Sequence, residues 1–191
     1  MDNEKDRTLL QSAAQDDRPW YAVRLFGTRQ GAVGDYLKEQ GVDFFVPMHY
    51  VDQEVKGANK VRRVLKPVVT NLIFIKKQKE QKEMRAMLMA SPYKMSVYKK
   101  ERFGADYYEI SAREMHEFQV MCNPEIELRK YVSEQEAKLK QGARVIVKYG
   151  PLKGLSGRLV RQSKKYFLLK EVPGMGVMLK VSRWCCVADD H

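Results

Sequence analysis

Residues 145–157 read VIVKYGPLKGLSG. Val145 and Val147 alternate with Arg144, Ile146 and Lys148, the period-two pattern of a strand with one buried face. The alternation breaks at Gly150, Pro151, Gly154 and Gly157 and resumes in Arg158, Leu159, Val160 and Arg161. The expected local order is therefore strand, glycine-rich basic loop, strand. Glycine supplies the positive φ that such a turn needs and permits close approach of another backbone. Short turn-punctuated segments surround this stretch, at 143–148, 155–161, 165–170, 176–181 and 184–188. Strands of that length and spacing predict a small β-barrel over residues 142–191.

Upstream, residues 20–26 (WYAVRLF) are aromatic and β-branched and predict a strand. Thr28 is placed to cap an amphipathic helix over 29–40, with Val33 and Leu37 on its buried face and Gly41 as its stop. A second strand is expected over 43–51, with Phe44 and Val46 on one face, Phe45 on the other, and Pro47 marking an edge or bulge. The polar stretch 52–60 reads as a hairpin tip from which 61–66 returns. Leu72, Ile73, Phe74 and Ile75 are four apolar residues in a row, the signature of a central strand buried on both faces. A Lys-rich start followed by Met84, Met87 and Leu88 predicts a helix. Ser111 and Glu114 form a capping box that starts another, ending near Cys122, with Met115, Phe118 and Met121 buried. Residues 125–141 are charged and poor in core residues, with a second capping box at Ser133 and Glu136, and read as a linker. Residues 1–17 read as a disordered tail.

The formal charge is +11 over 191 residues, and its distribution says more than its sum. Residues 1–17 carry five Asp/Glu against two Lys/Arg. Residues 18–124 carry nineteen Lys/Arg against twelve Asp/Glu, and residues 142–191 carry ten against three. Two basic pieces joined by a neutral segment imply a polyanionic partner. No apolar run reaches the roughly 18 residues of a membrane span, and the polar, acidic start is unlike a secretion signal, so a cytoplasmic protein without membrane association is expected. Three cysteines, two of them adjacent at Cys185 and Cys186 with Cys122 remote, match neither a disulfide framework nor zinc-ligand spacing. His49, His116 and His191 are scattered, and Gly150–Gly154 lacks the Lys-Ser/Thr pair of a phosphate-binding loop. The expectation is a protein that is not an enzyme and holds no metal or cofactor.

The C-terminal piece resembles a KOW domain, the SH3-like barrel of NusG-type transcription factors and some ribosomal proteins. The resemblance is carried by Gly142-Ala143-Arg144-Val145 and by Tyr149-Gly150-Pro151-Leu152-Lys153-Gly154-Leu155-Ser156-Gly157. Trp20-Tyr21-Ala22-Val23, the helix after it, Phe44-Phe45-Val46-Pro47 and residues 66–75 ahead of a Lys-rich helix resemble the NusG N-terminal domain in order and spacing. Together they cover residues 18–189. The tail, the linker and the departures from housekeeping NusG are most similar to specialised paralogues of the RfaH and UpxY type, the latter antiterminators of capsular polysaccharide operons. One departure is specific. NusG has an aromatic-aromatic-Pro-Gly-Tyr run before its central strand, where this chain has Val68-Val69-Thr70-Asn71-Leu72.

The resemblance implies an α+β protein: an antiparallel sheet flanked by helices over 18–124, a linker over 125–141, and an SH3-like small β-barrel over 142–191. It implies that the N-terminal domain docks on the clamp helices of the largest RNA polymerase subunit through Arg24, Phe44, Phe45, Val68, Val69, Thr70, Asn71 and Leu72. Arg29, Tyr36, Lys82, Arg85 and Tyr93 are the residues it places near the non-template DNA strand. The barrel would recruit a second protein, a ribosomal protein or Rho, through Lys153, Arg158, Lys164 and Lys165, whose charge suits nascent RNA as well. The implied function is elongation control with antitermination of long operons by a monomer acting on the nucleoid. The alternatives are a general NusG-like elongation or termination factor, and an RNA- or ribosome-binding KOW protein.

Overall fold

A computed structural model describes residues 16–27, 29–54, 60–101 and 103–189. The tail before Asp16, the expected cap Thr28 and the tip of the 52–60 hairpin at 55–59 lie outside the described residues.

The apolar run ahead of Lys76 forms β5 (Leu72–Lys76), with its first four residues buried. It lies between β1 (Trp20–Leu25) and the two-residue β2 (Phe44–Phe45), and β6 (Met95–Val97) completes an antiparallel sheet of order β2-β5-β1-β6. The register pairs Ala22 with Phe74 and Arg24 with Leu72, so alternate residues divide between two faces. Tyr21, Val23, Leu25, Ile73 and Ile75 face α1 (Gln30–Glu39) and α2 (Gln81–Ala90), packing with Val33, Leu37, Met84 and Met87. Ala22, Leu72 and Phe74 face the other way, onto Met115, Phe118 and Met121 of α3 (Ala112–Met121). The capping box that starts α3 is present in both directions, Ser111 with Glu114.

The strand expected over 43–51 divides at Pro47, which has no N–H to donate to a sheet. β2 stays in the sheet. β3 (Met48–Glu54) turns away and pairs with β4 (Val61–Pro67) as a separate two-stranded ribbon. The Pro47 carbonyl accepts instead from the Val68 N–H at 2.9 Å.

The C-terminal region is one antiparallel sheet of six strands. Its members are β7 (Arg129–Ser133), β8 (Ala143–Val147), β9 (Ser156–Gln162), β10 (Lys165–Val172), β11 (Met175–Val181) and β12 (Cys186–Ala188), in the order β12-β8-β9-β10-β11-β7. At Gly157, a Cβ would stand 2.6 Å from the Leu169 carbonyl, so β9 and β10 approach there as only glycine allows. The β9–β10 connection turns through Ser163 and Lys164, both at positive φ, the two-residue hairpin geometry that suits strand twist.

The stretch 125–141, expected as a linker, is largely built into this sheet. Residues 129–133 pair with β11 from Leu179 to Met175. The second capping box starts α4 (Glu134–Leu139), whose Ala137 is fully buried against Val160, Phe167, Leu169 and Met178. A strand needs backbone pairing more than apolar side chains, and Val132 and Ala137 suffice to anchor this one.

The two sheets share a core. A single apolar cluster joins Ala22, Leu72, Phe74, Met115 and Phe118 to Leu168, Val172, Met175, Val177 and Leu179. Helix α3 lies between the sheets and packs on β10 and β11.

Candidate functional site: an apolar face and what covers it

The face is held in shape from beneath. Gln30 at the start of α1 is 7% exposed, and its Nε2 donates to the Val69 carbonyl at 3.0 Å and the Leu72 carbonyl at 2.6 Å. One side chain therefore fixes the backbone of the 68–72 loop. Val68 and Val69 are half-buried, Thr70 and Asn71 are exposed, and Leu72 is 2% exposed. Phe45 joins them, its ring 6.4 Å from both Phe74 and Phe118. Arg24 is exposed at the edge; its guanidinium donates to the Tyr98 hydroxyl at 3.1 Å and stacks over that ring. Phe44 is not part of this face. It lies on the opposite side of the sheet, over Gly34, where a Cβ would come within 2.8 Å of the ring.

The C-terminal sheet lies on this face. The tip of the β10–β11 hairpin presents Gly174, at φ +95°, to Leu72 and Tyr98; a Cβ there would meet the Leu72 methyls at 2.9 Å. The Gly174 N–H is held by the Glu134 carboxylate at 2.9 Å. Burial pulls the Glu134 carboxyl up, and Lys138 together with this N–H overcomes that and holds it below the usual carboxylate range. Beside the apolar contact lies an ionic one. Glu117 of α3 is 4% exposed and pairs with Lys170 of β10. Its Oε2 also accepts from the Ser156 hydroxyl at 2.8 Å, and Lys170 reaches the Ser156 carbonyl at 3.3 Å. Arg113 closes the set from solvent at 3.3 Å. A charged pair this dry binds its two elements to one another because either charge left alone would be costly.

The residues expected near DNA fall on the helical side. Tyr36 and Tyr93 meet edge-on with ring centroids 6.4 Å apart, and the Tyr36 hydroxyl donates to the Met87 carbonyl at 2.9 Å. Arg29 and Tyr93 line a cleft with Phe26 and Lys94, of about 290 Å³. Phe26 is 57% exposed with the Lys94 ammonium over its ring, and its place at the end of β1 had pointed only to a strand. Lys82 and Arg85 are exposed on α2, and Arg85 lines a different cleft with Leu88 and Met95.

The four cations expected as one partner surface are not brought together. Lys153 lies in the β8–β9 loop and Lys164 and Lys165 beyond the far end of β9, roughly 20 Å away at strand rise. Arg158 is structural: it donates to the carbonyls of Lys140 and Ala137, each at 2.8 Å, and pairs with Glu171 at 2.6 Å, tying α4 to the sheet.

Among the described residues no three His, Cys, Asp or Glu side chains gather as a metal site would require, and no helix is long and apolar enough to cross a membrane. Burial pushes the Cys122 thiol up to about 12. Burial also raises the half-buried Cys186 thiol, without enclosing it as Cys122 is enclosed. An aromatic disulfide reagent at pH 8 is therefore expected to reach the Cys185–Cys186 pair in the native protein, Cys186 slowly, and Cys122 only after unfolding, since the thiolate is the reacting form. Three thiols reacting at one rate would contradict the packing described for α3.

No curated protein matches the chain by sequence. A family model, described as transcription termination factor nusG, matches residues 18–119, just over half of the chain: the whole of the N-terminal sheet, α1, α2 and all but the last two residues of α3. Fold and family agree over the region that carries the apolar face: the chain belongs to the NusG family of transcription elongation and termination factors.

Proposed function

We propose that this protein is a transcription elongation regulator that binds RNA polymerase through the Val68–Leu72 face and promotes processive, antiterminated transcription of long operons. The observation that carries the reading is the family match over the very residues that build an apolar face pinned by Gln30. A helix pair such as the clamp of the largest polymerase subunit is the kind of partner an apolar depression rimmed by polar groups accepts. Arg24, Thr70 and Asn71 supply that rim. The cations and rings of Arg29, Tyr36, Lys82, Arg85 and Tyr93 suit an unpaired non-template strand. Residues 18–124 are the polymerase-binding domain in this reading, residues 142–191 a KOW domain that engages a second protein, and no catalysis or cofactor is involved.

Because the C-terminal sheet lies over Leu72, polymerase binding requires that sheet to withdraw. The described arrangement is a closed one, held by Glu117–Lys170 and the Gly174 contact. A closed resting form, together with Val68-Val69-Thr70-Asn71 in place of the aromatic run of NusG, supports a specialised factor of the UpxY or RfaH type acting at few operons, capsular polysaccharide operons among them.

A general elongation or termination factor shares the polymerase contact and differs in sign. Run-on transcription past a terminator with purified polymerase separates the two. Added protein is expected to raise the read-through fraction; a rise in terminated product would assign the chain to the termination class instead.

A further inference from the structure

The two halves of the chain meet through a surface on each: Leu72, Met115 and Glu117 on one side, Lys170, Val172 and Gly174 on the other. Only residues 122–128 run between the end of α3 and the start of β7. This short joint turns the chain so that its own C-terminal sheet returns to its own apolar face.

The joint is strained. Leu128 has φ +58°, in the left-handed region that a branched side chain disfavours. That side chain is 65% exposed, so packing offsets little of the strain. Pro124, in the same joint, biases Asn123 toward extended backbone. The Tyr50 hydroxyl holds Glu125 at 2.7 Å, an exposed hydrogen bond that water readily replaces.

A short strained joint between two surfaces that fit one another is the arrangement from which chains exchange elements. Opening the joint relaxes Leu128 and leaves each surface to be met by its complement on another copy. The contacts themselves are kept: Glu117 meets Lys170, and Leu72 meets Gly174, across two chains instead of within one. The exchange is reciprocal, so it closes at two chains.

We propose that the partner for the Val68–Leu72 face is a second copy of this chain, in a dimer whose C-terminal sheets are exchanged. The monomer is the dilute form, because closure within one chain needs no second molecule. The dimer is the concentrated form, relieved of two strained joints, with the apolar face covered on both copies. The inference rests on the closed arrangement and not on the polymerase reading.

Two variants that repel their own cover provide the test. Glu117→Lys sets two lysines against each other within one chain, and Lys170→Glu two glutamates. In an exchanged pair of one chain of each, the introduced lysine meets the introduced glutamate, and the two native groups meet in turn. By light scattering after gel filtration in reducing buffer, each variant alone is expected to run as single chains. The equimolar mixture should contain a 1:1 pair, at least tenfold more abundant than any pair formed by either variant alone. In the native chain a two-chain species should grow with concentration and dissociate slowly on dilution. Leu128→Gly, which takes positive φ freely, should reduce that species about tenfold. Single chains throughout the mixture, equal pairing by one variant alone, masses beyond two chains, a native chain that stays single at every concentration, or a native dimer indifferent to Leu128→Gly would each overturn the proposal. Should a charge variant fail to fold, the native chain and Leu128→Gly decide the matter. No polymerase is present, so any of these failures leaves the polymerase reading standing.

Discussion

Replacing Lys170 with Glu is expected to part the two sheets of this protein. Lys170 is the counter-charge of Glu117, and both side chains are nearly dry, with 11% and 5% of their surface exposed. Removing one member of such a pair costs about 3–5 kcal/mol because the other remains buried and uncompensated. Glutamate at position 170 adds like-charge repulsion. Among the described residues, the partners then left to Glu117 are the Ser156 hydroxyl and the solvent-side Arg113. Separation relieves both carboxylates at once, and it exposes Val172, Met175 and Leu72. The variant should therefore show a larger radius of gyration by small-angle X-ray scattering and bind an apolar dye, with the far-ultraviolet spectrum unchanged. The exchanged pair, Glu117→Lys with Lys170→Glu, should restore the native radius. A single variant as compact as the native chain would mean that the apolar contact alone holds the sheets together. Loss of the far-ultraviolet signal would mean that the pair supports the C-terminal fold itself.

Val69→Asp carries the second large effect, on polymerase binding. The side chain is half-buried at the margin of the shared cluster, while the backbone carbonyl is fixed by Gln30 Nε2 at 3.0 Å. The loop is therefore positioned independently of the side chain, and the substitution changes the chemistry of the face without releasing its backbone. A carboxylate in the centre of an apolar contact leaves a charge without a partner, and central contacts of this kind are worth about 2 kcal/mol or more. That is roughly a thirtyfold loss of affinity. The same carboxylate would loosen the packing against the C-terminal sheet, which by itself would favour binding. A loss of affinity can then be assigned to the face and not to tighter closure. A folded Val69→Asp protein that binds polymerase as the native chain does would remove residues 68–72 from the account.

Much of this architecture is legible in the sequence because local pattern fixes it. Leu72–Ile75 is central because four consecutive apolar residues need two covered faces, and both are covered. Ser111–Glu114 starts a helix because the box satisfies its free N–H groups, and the buried stripe falls at Met115, Phe118 and Met121 as the spacing requires. Pro47 was readable as an interruption, though not as the point where a strand leaves one sheet for a separate ribbon. Residues 129–133 were opaque: Arg129 and Lys130 conceal a strand that owes its place to backbone pairing with β11. The cover over Leu72 was beyond reach in principle. Glu117 and Lys170 stand 53 residues apart, and nothing in either local segment names the other. Exposure was equally invisible. Trp184 reads as an ordinary strand residue until the fold leaves its ring in solvent, and Arg158 reads as a surface cation until the carbonyls of Ala137 and Lys140 are found on its guanidinium.

The central claim is that the face that binds polymerase is the face the C-terminal sheet covers. It is tested most directly by the equilibrium affinity of purified polymerase for three full-length chains: native, Lys170→Glu, and the exchanged Glu117→Lys/Lys170→Glu pair. A ligand that binds only the open form sees its affinity reduced by the open fraction. Lys170→Glu is expected to bind at least tenfold more tightly than the native chain, and the exchanged pair to return to the native value. Equal affinity for all three chains would contradict it.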